Sequence, residues 1–428
     1  MKKQTILCVL LIAALLLSCA GCAAQPGANP EKPDPTQPAA AQVGSVDLMA
    51  AITPNRPDPQ PISEEAAAAA ADFALRLFRA GNAPDKNTLL SPLSVLCALA
   101  MTANGAKGET LAQMEKTLGL DRDALNTCLR SYLDALAGDK TLKLANSVWF
   151  TADPRFTVEQ SFLQTNADYY GANVYKAPFD DTTLADINNW VKEKTDGMIP
   201  EILDRIPEAA VMYLVNALAF DAKWAAPYES YSVSGGDFIT ETGEKRPVDF
   251  MYSEEHDYLE NELAVGFVKP YEGGKYGFAA LLPREGVSLE ALLEGLDGPA
   301  LRSLLQNRSW KTVFTSLPKF ETAYDTELSG VLQAMGMELP FDDERADFTG
   351  LGRSTGGNIS ISRVIHKTFI SVAEKGTRAG AATVVEMTDG ALLVEDPKEV
   401  YLDHPFLYLL VDLETNLPLF IGVMRDPA

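Results

Sequence analysis

The chain has 428 residues, 46% of them hydrophobic, which suffices for a large core in one or two domains. Its 36 basic and 59 acidic residues leave a net charge of −23. That surface repels nucleic acid and anionic lipid, arguing against both as partners of the folded part, and otherwise serves solubility.

The first 22 residues, "MKKQTILCVLLIAALLLSCAGC", read as a signal segment: a basic start, an apolar run from Ile6 to Leu17, then small residues. The run is too short to span a bilayer comfortably. Its end resembles a bacterial lipobox, in which cleavage exposes a Cys that is then lipidated. Cys22, preceded by Ala-Gly, fits better than Cys19; a plain secretory signal is the alternative. Residues 23–61 hold nine prolines among Ala, Gln and Asp, the composition of a disordered tether. Anchor and stalk would place the folded domain, residues 62–428, outside a bacterial cell, held to the membrane only through the N-terminal lipid. Beyond the signal only Cys97 and Cys128 remain, and their helical contexts read as buried core thiols.

Helical periodicity comes first in the domain. "EEAAAAAADFALRLFRAG" follows Ser63 as N-cap, with Glu64 and Glu65 in the first turn. "SPLSVLCALAMTANGAKGETLAQMEKTLGL" reads as two helices divided at Asn104–Gly105, and "ADINNWVKEKTDGMIPEIL" as a helix with an early break. Strand-like runs then dominate: "VMYLVNALAFDAKW", "YGFAALLP", "WKTVFTSLPKF", "HKTFISVA" and "FLYLLVDLETNLPLFIGVM". Helices early and strands late, without regular βαβ alternation, predict an α+β fold in one domain.

Catalytic motifs are missing. The three histidines, His256, His366 and His404, form no HExxH and no close pair, so no zinc site is expected. There is no G-x-S-x-G elbow and no phosphate-cradling loop. Ser91 and Ser94 lack a neighbouring base and read as core or capping groups. No enzyme activity, cofactor or metal is expected.

One segment stands out. In "EKGTRAGAATVV" (Glu374 to Val385), a strand reading puts Thr377, Ala379, Ala381, Thr383 and Val385 on one uncharged face, with Arg378 and Glu386 on the other. Yet the residues beyond Val385 read as a long exposed loop.

The motifs "NTLLSPLSVLCALAMTANGAKGETLAQMEKTLG", "LANSVWF", "INNWVKEKTDGMIPEIL", "LVNALAFDAKW", "SLPKF", "VIHKTFISVAEKGTRAGAAT" and "HPFLYLLVDLETNLPLFIGVMRDP" resemble the serpins, in the family's order. The resemblance runs from about residue 70 to the C-terminus. It implies about nine helices and three sheets, a central five-stranded sheet A, and an exposed reactive-centre loop. It also implies a hinge at Glu374, Gly376, Thr377, Ala379, Ala381, Ala382 and Thr383. That hinge inserts as a new strand of sheet A once a serine protease has cut the loop and become covalently attached. Small, uncharged inward residues suit such insertion, because the strand enters a sheet already packed at native density. Ser91, Ser94, Asn216 and His366 match the family's shutter, which lets the sheet part. Trp224, Lys319 and Glu374 match its breach, where insertion starts. The resemblance further implies a metastable monomer whose partners are serine proteases.

The scissile bond is read two ways. The family's spacing from Gly376 puts it at Gly390, before Ala391; counting back from "HPF" puts it at Val394, before Glu395. The window also holds Leu392 and Leu393, and the stretch Leu392 to Val394 is preferred. With no Arg or Lys, it suits elastase-like or subtilisin-like proteases rather than trypsin-like ones. The alternatives are a non-inhibitory serpin-fold carrier or chaperone-like protein, and a solute-binding lipoprotein of two doubly wound lobes.

Overall fold

A computed structural model describes residues 44–207, 210–377 and 397–427. The sequence readings on the signal segment, Cys19, Cys22 and residues 378–396 lie outside the described residues.

Strand β1 (Val46–Asp47) precedes helix α1 (Glu64–Gly81). The Ser63 hydroxyl accepts the Ala66 amide at 3.1 Å, satisfying one free donor of the first turn. Strand β2 (Thr88–Leu90) leads into α2 (Pro92–Ala103), buried along its whole length, and α3 (Gly108–Leu118). Packing enforces the break between these helices, because a Cβ on Gly105 would lie 2.3 Å from that of Leu351. Then come α4 (Arg122–Ala135), β3 (Leu142–Thr151), β4 (Phe156–Val158), α5 (Gln160–Tyr170), β5 (Asn173–Ala177) and α6 (Asp181–Lys194). A run of strands follows: β6 (Met212–Phe220), β7 (Ala222–Lys223), β8 (Val233–Ile239), β9 (Lys245–Glu260), β10 (Ala264–Pro270) and β11 (Tyr276–Pro283). Two short helices, α7 (Leu289–Gly295) and α8 (Gly298–Gln306), separate it from β12 (Ser309–Pro318), β13 (Phe320–Glu327) and α9 (Ser329–Ala334). The last strands are β14 (Gly352–Ser354), β15 (Ile365–Ala373), β16 (Gly376–Thr377), β17 (Lys398–Tyr401), β18 (Phe406–Asp412) and β19 (Leu417–Met424). The fold is α+β, with nine α-helices among the described residues.

A nine-stranded ladder runs β17-β12-β9-β10-β11-β18-β19-β2, with β8 added on β9. Because β9 is sixteen residues long and pairs along its length with β8, β12 and β10, the two sheets expected beside the central one merge. Every residue of β18 and β19 is buried, as their unbroken apolar runs require. The expected five-stranded central sheet is instead two ladders, β1-β5-β3-β6 and β13-β15-β16-β7. Strands β6 and β15 lie side by side, but no ladder joins them among the described residues.

Residues 44–61 correct the sequence reading, which put them in a disordered tether. Val46 and Asp47 pair antiparallel with Lys176 and Tyr175 of β5, and the Leu48 amide donates to the Val174 carbonyl at 2.8 Å. Leu48, Met49 and Ile52 are half-buried against the core. Further on, the Asn55 amide donates to Asp168 at 2.6 Å and the Gln60 amide to Ser131 at 2.8 Å. Composition alone predicts disorder because the partners lie on β5, α5 and α4, far along the chain. Extended, Pro-rich backbone suits such a strap, which uses few of its own amides.

Candidate functional site

A narrow crevice separates β6 from β15. Leu218, Ala219 and Phe220 line one wall, Phe369, Ile370 and Ser371 the other, and Thr377 stands at one end. Its accessible volume is about 10 Å³, on the order of a single water molecule. A strand entering here has to part β6 from β15.

The chain returns to that crevice just after β15. Glu374 and Lys375 make the turn, and β16 comes back so that Val372 faces Thr377 and Ala373 faces Gly376. On its other side β16 pairs with β7, Gly376 against Lys223 and Thr377 against Ala222. Gly376 has φ +153°, and a Cβ there would stand 2.0 Å from the Ala222 carbonyl oxygen. Only glycine fits this approach. Thr377 is 1% exposed, and its hydroxyl shares a 2.5 Å hydrogen bond with that of Tyr271.

An aromatic cluster holds the turn from behind. Trp224 stacks on Tyr271 with ring centroids 4.4 Å apart and meets Tyr228 edge-on at 6.4 Å. The Trp224 indole donates to the Ala373 carbonyl at 2.8 Å. The Trp224 amide donates to the Lys375 carbonyl at 3.0 Å, and the Tyr228 amide to that of Glu374 at 2.8 Å. Lys319 lies 2.7 Å from the Glu374 carboxylate, both side chains one-third exposed. That hydrogen bond, then Glu374's own amide, holds the carboxyl below its usual range.

Deeper still, Lys269 and Glu255 are buried with their charges 2.6 Å apart. The ammonium also lies 4.3 Å from the Tyr228 ring centroid and 5.7 Å from that of Trp224, and the Ser253 hydroxyl donates to Glu255 at 2.6 Å. Two buried charges are tolerated because each has the other, and the lysine has two ring faces. Sequence reasoning missed Tyr228, Tyr271, Lys269 and Glu255. One signal was available: a lone Lys inside the apolar run "AVGFVKP".

At the opposite end of β15, His366 is buried, and its Nε2 accepts the Ser91 amide at 3.0 Å. A neutral ring accepting at Nε2 carries its proton on Nδ1. Burial drives its pKa down to about 4. The Ser94 hydroxyl donates to the Ser91 carbonyl at 3.1 Å, and that of Thr368 to the Leu89 carbonyl at 2.8 Å. Polar contacts therefore fasten β15 to the β2–α2 junction.

The structure thus gathers Trp224, Lys319, Glu374, Gly376 and Thr377 into one cluster and Ser91, Ser94 and His366 into another. Asn216 faces Asn146 across the β6–β3 pairing; its side chain is outside the described residues. Ala379, Ala381, Ala382, Thr383 and the window Gly390 to Glu395 also lie outside them. Among the described residues, no cluster of His, Cys, Asp and Glu is arranged to hold a metal ion.

The family model "Serpin (serine protease inhibitor)" matches residues 68–427. The chain is 32% identical to an uncharacterized serpin-like protein of Thermococcus kodakarensis, over 83% of this chain and 84% of that protein. It is 30% identical to leukocyte elastase inhibitor A of Mus musculus, over 83% of this chain and 97% of that one. Its fold is similar to the crystal structure of tengpin, a thermophilic serpin, in the native state. The TM-score is 0.85 at 44% identity, covering 90% of this chain and 100% of that one.

Proposed function

Because the chain belongs to the serpin family, we propose that it is a suicide-substrate inhibitor of serine proteases, with residues 378–396 as the bait. One observation carries the reading: the chain enters the bait from Thr377, buried at the end of a closed crevice between two strands that share no rungs among the described residues.

The protease serine attacks a carbonyl between those of Gly390 and Val394, in the window Gly390 to Glu395. The ester forms as the amide bond breaks, and the new amino terminus stays with β17 to β19. Freed at that end, the segment continues β16 down the crevice, with Thr377, Ala379, Ala381 and Thr383 as its inward residues. About ten new ladder hydrogen bonds at roughly 1 kcal/mol each supply on the order of 10 kcal/mol. The acylated protease is dragged along and its site deformed. Losing one oxyanion-hole donor slows deacylation by about 10²–10³, so the ester persists. The uncut molecule is therefore held kinetically. Trp224, Lys319 and Glu374 guide the start of insertion; Ser91, Ser94, Asn216 and His366 govern the parting of the strands.

The window's aliphatic side chains favour elastase-like or subtilisin-like targets, in keeping with the name of the mouse relative. The lipobox-like segment supports a lipid anchor at Cys22 (or Cys19) and a position on the bacterial cell surface. The test is incubation with elastase, subtilisin and trypsin, followed by denaturing gels and mass spectrometry. A denaturant-resistant complex with elastase or subtilisin, and a peptide beginning between Ala391 and Glu395, is expected. Clean cutting of the bait without any stable complex would establish a non-inhibitory member instead.

A further inference from the structure

The N-terminal strap and the hinge reach β6 at opposite ends. Strand registers carry the level of Val46 across Lys176 and Phe150 to Met212, whereas Thr377 pairs with Ala222. From Met212 to Ala222 is about 33 Å of strand. Strand β1 runs antiparallel to β5 and therefore toward the Thr377 end, so the chain enters it from the far end. The Ser45 hydroxyl donates to Asp186 of α6 at 2.5 Å, and the Leu48 amide to the Val174 carbonyl at 2.8 Å. With the rungs to Tyr175 and Lys176, these bonds fix the point at which the N-terminal segment leaves the domain.

Insertion would finish at that same far end. From Thr377 to a cut between Gly390 and Val394 is 13 to 17 residues, about 43–56 Å of strand. The ester would then come to rest about 10–20 Å beyond the level of Val46, beside the exit of the tether. A protease domain of about 220 residues has a radius of gyration near 17 Å and is about 45 Å across. For a chain held to a membrane at Cys22, this is the end by which the domain is held. The 22 residues from Cys22 to Gly44 reach at most about 75 Å, enough to clear the protease. The net charge of −23 adds repulsion from anionic lipid and favours an open gap.

We propose that residues 23–43 are a spacer for the trapped protease: the anchored inhibitor pulls its target toward the membrane, into a gap that the spacer makes wide enough to receive it. The proposal rests on the inhibitor and lipid-anchor readings and goes beyond both, giving the length of the tether a part in trapping. In solution nothing obstructs the far end, so the spacer matters only on a membrane.

The test couples the chain from Cys22 onward, through that thiol, to a maleimide lipid in phosphatidylcholine vesicles; Cys97 and Cys128 are buried and do not compete. Stoichiometry of inhibition is measured with subtilisin and with elastase, on vesicles and in solution. Deleting residues 24–41 spares β1 and leaves a reach of about 14 Å. The deletion should raise the stoichiometry several-fold on vesicles, because an obstructed ester hydrolyses and releases cut inhibitor, and leave it unchanged in solution. An unrelated insert of equal length should restore trapping. Equal stoichiometry for the deleted chain on vesicles and in solution overturns this inference alone, as does a loss confined to the association rate. Failure of the undeleted chain to trap on vesicles while it traps in solution overturns it too. No covalent complex in either setting overturns the inhibitor reading and this inference with it. Bacterially expressed chain whose mass shows no lipid at Cys22 or Cys19 overturns the anchor reading and, again, this inference with it.

Discussion

Thr377 and Tyr271 are 106 positions apart in the chain and share a 2.5 Å hydrogen bond at the end of the β6–β15 crevice. Their contact places Thr377, the first inward-facing residue of the proposed hinge, inside the sheet of the uncut chain. In the proposed mechanism, insertion would continue a strand already begun.

Replacing Thr377 with Arg should convert the inhibitor into a substrate. A guanidinium at a site 1% exposed, beside the Tyr271 hydroxyl, would be buried without a counter-ion, costing several kcal/mol. Insertion slows and deacylation wins. Denaturing gels should show cut inhibitor in place of complex; complex at the wild-type yield would sink the hinge assignment.

Cutting within Gly390 to Val394 should raise the thermal transition by tens of degrees. The cut form gains a strand between β6 and β15, on the order of 10 kcal/mol from about ten rungs. Calorimetry before and after cleavage reads this directly. An unchanged transition after complete cutting would mean that the segment does not insert.

Acid should loosen the hold on β15. Burial lowers the His366 pKa from 6.5 to about 4, so between those values the unfolded chain binds the proton that the native state refuses. Stability is therefore full above pH 6.5 and falls as pH drops toward 4, by about 3 kcal/mol in all. Protonation also removes the acceptor of the Ser91 amide. Comparing unfolding of the wild type and His366→Gln at pH 7.5 and 4.5 should show the smaller drop in the variant; equal drops would exclude His366 as the cause.

Lys269→Met should cost about 3–5 kcal/mol, because Glu255 keeps a buried charge with no counter-ion. Lys269→Met with Glu255→Gln should regain most of it. Thermal unfolding monitored by tryptophan fluorescence suits the comparison, since Trp224 lies against Lys269. A double variant no better than the single would point to lost packing instead.

Local chemistry made the elements legible. Ser63 caps α1 from the side chain, Gly105 stands where two helices part, and the runs "YGFAALLP" and "HKTFISVA" fall in β11 and β15. Of the candidate site, Thr377 stood out through the uncharged face of its segment, while Trp224, Lys319, Glu374 and Gly376 were reachable only through family resemblance. Of Tyr228, Tyr271 and the Lys269–Glu255 pair, only Lys269 left a local trace, a lone Lys in an apolar run; the docking of β10 on β9 and of β16 on β7 brings the rest together. The strap was misread for the same reason: proline-rich backbone has no local preference for a strand, and its partner β5 lies more than a hundred residues onward.

The two residues of β1 have a consequence out of proportion to their length. Without them β5 would be the border of its sheet, offering Val174, Tyr175 and Lys176 as open amides and carbonyls to any extended chain nearby. Val46, Asp47 and the Leu48 amide occupy those groups within the same molecule. Trimming the N-terminal segment past Leu48 would therefore create a template for aggregation while sparing the bait, the hinge and the crevice. Colloidal solubility and inhibitory capacity, so often lost together, would here fail one at a time.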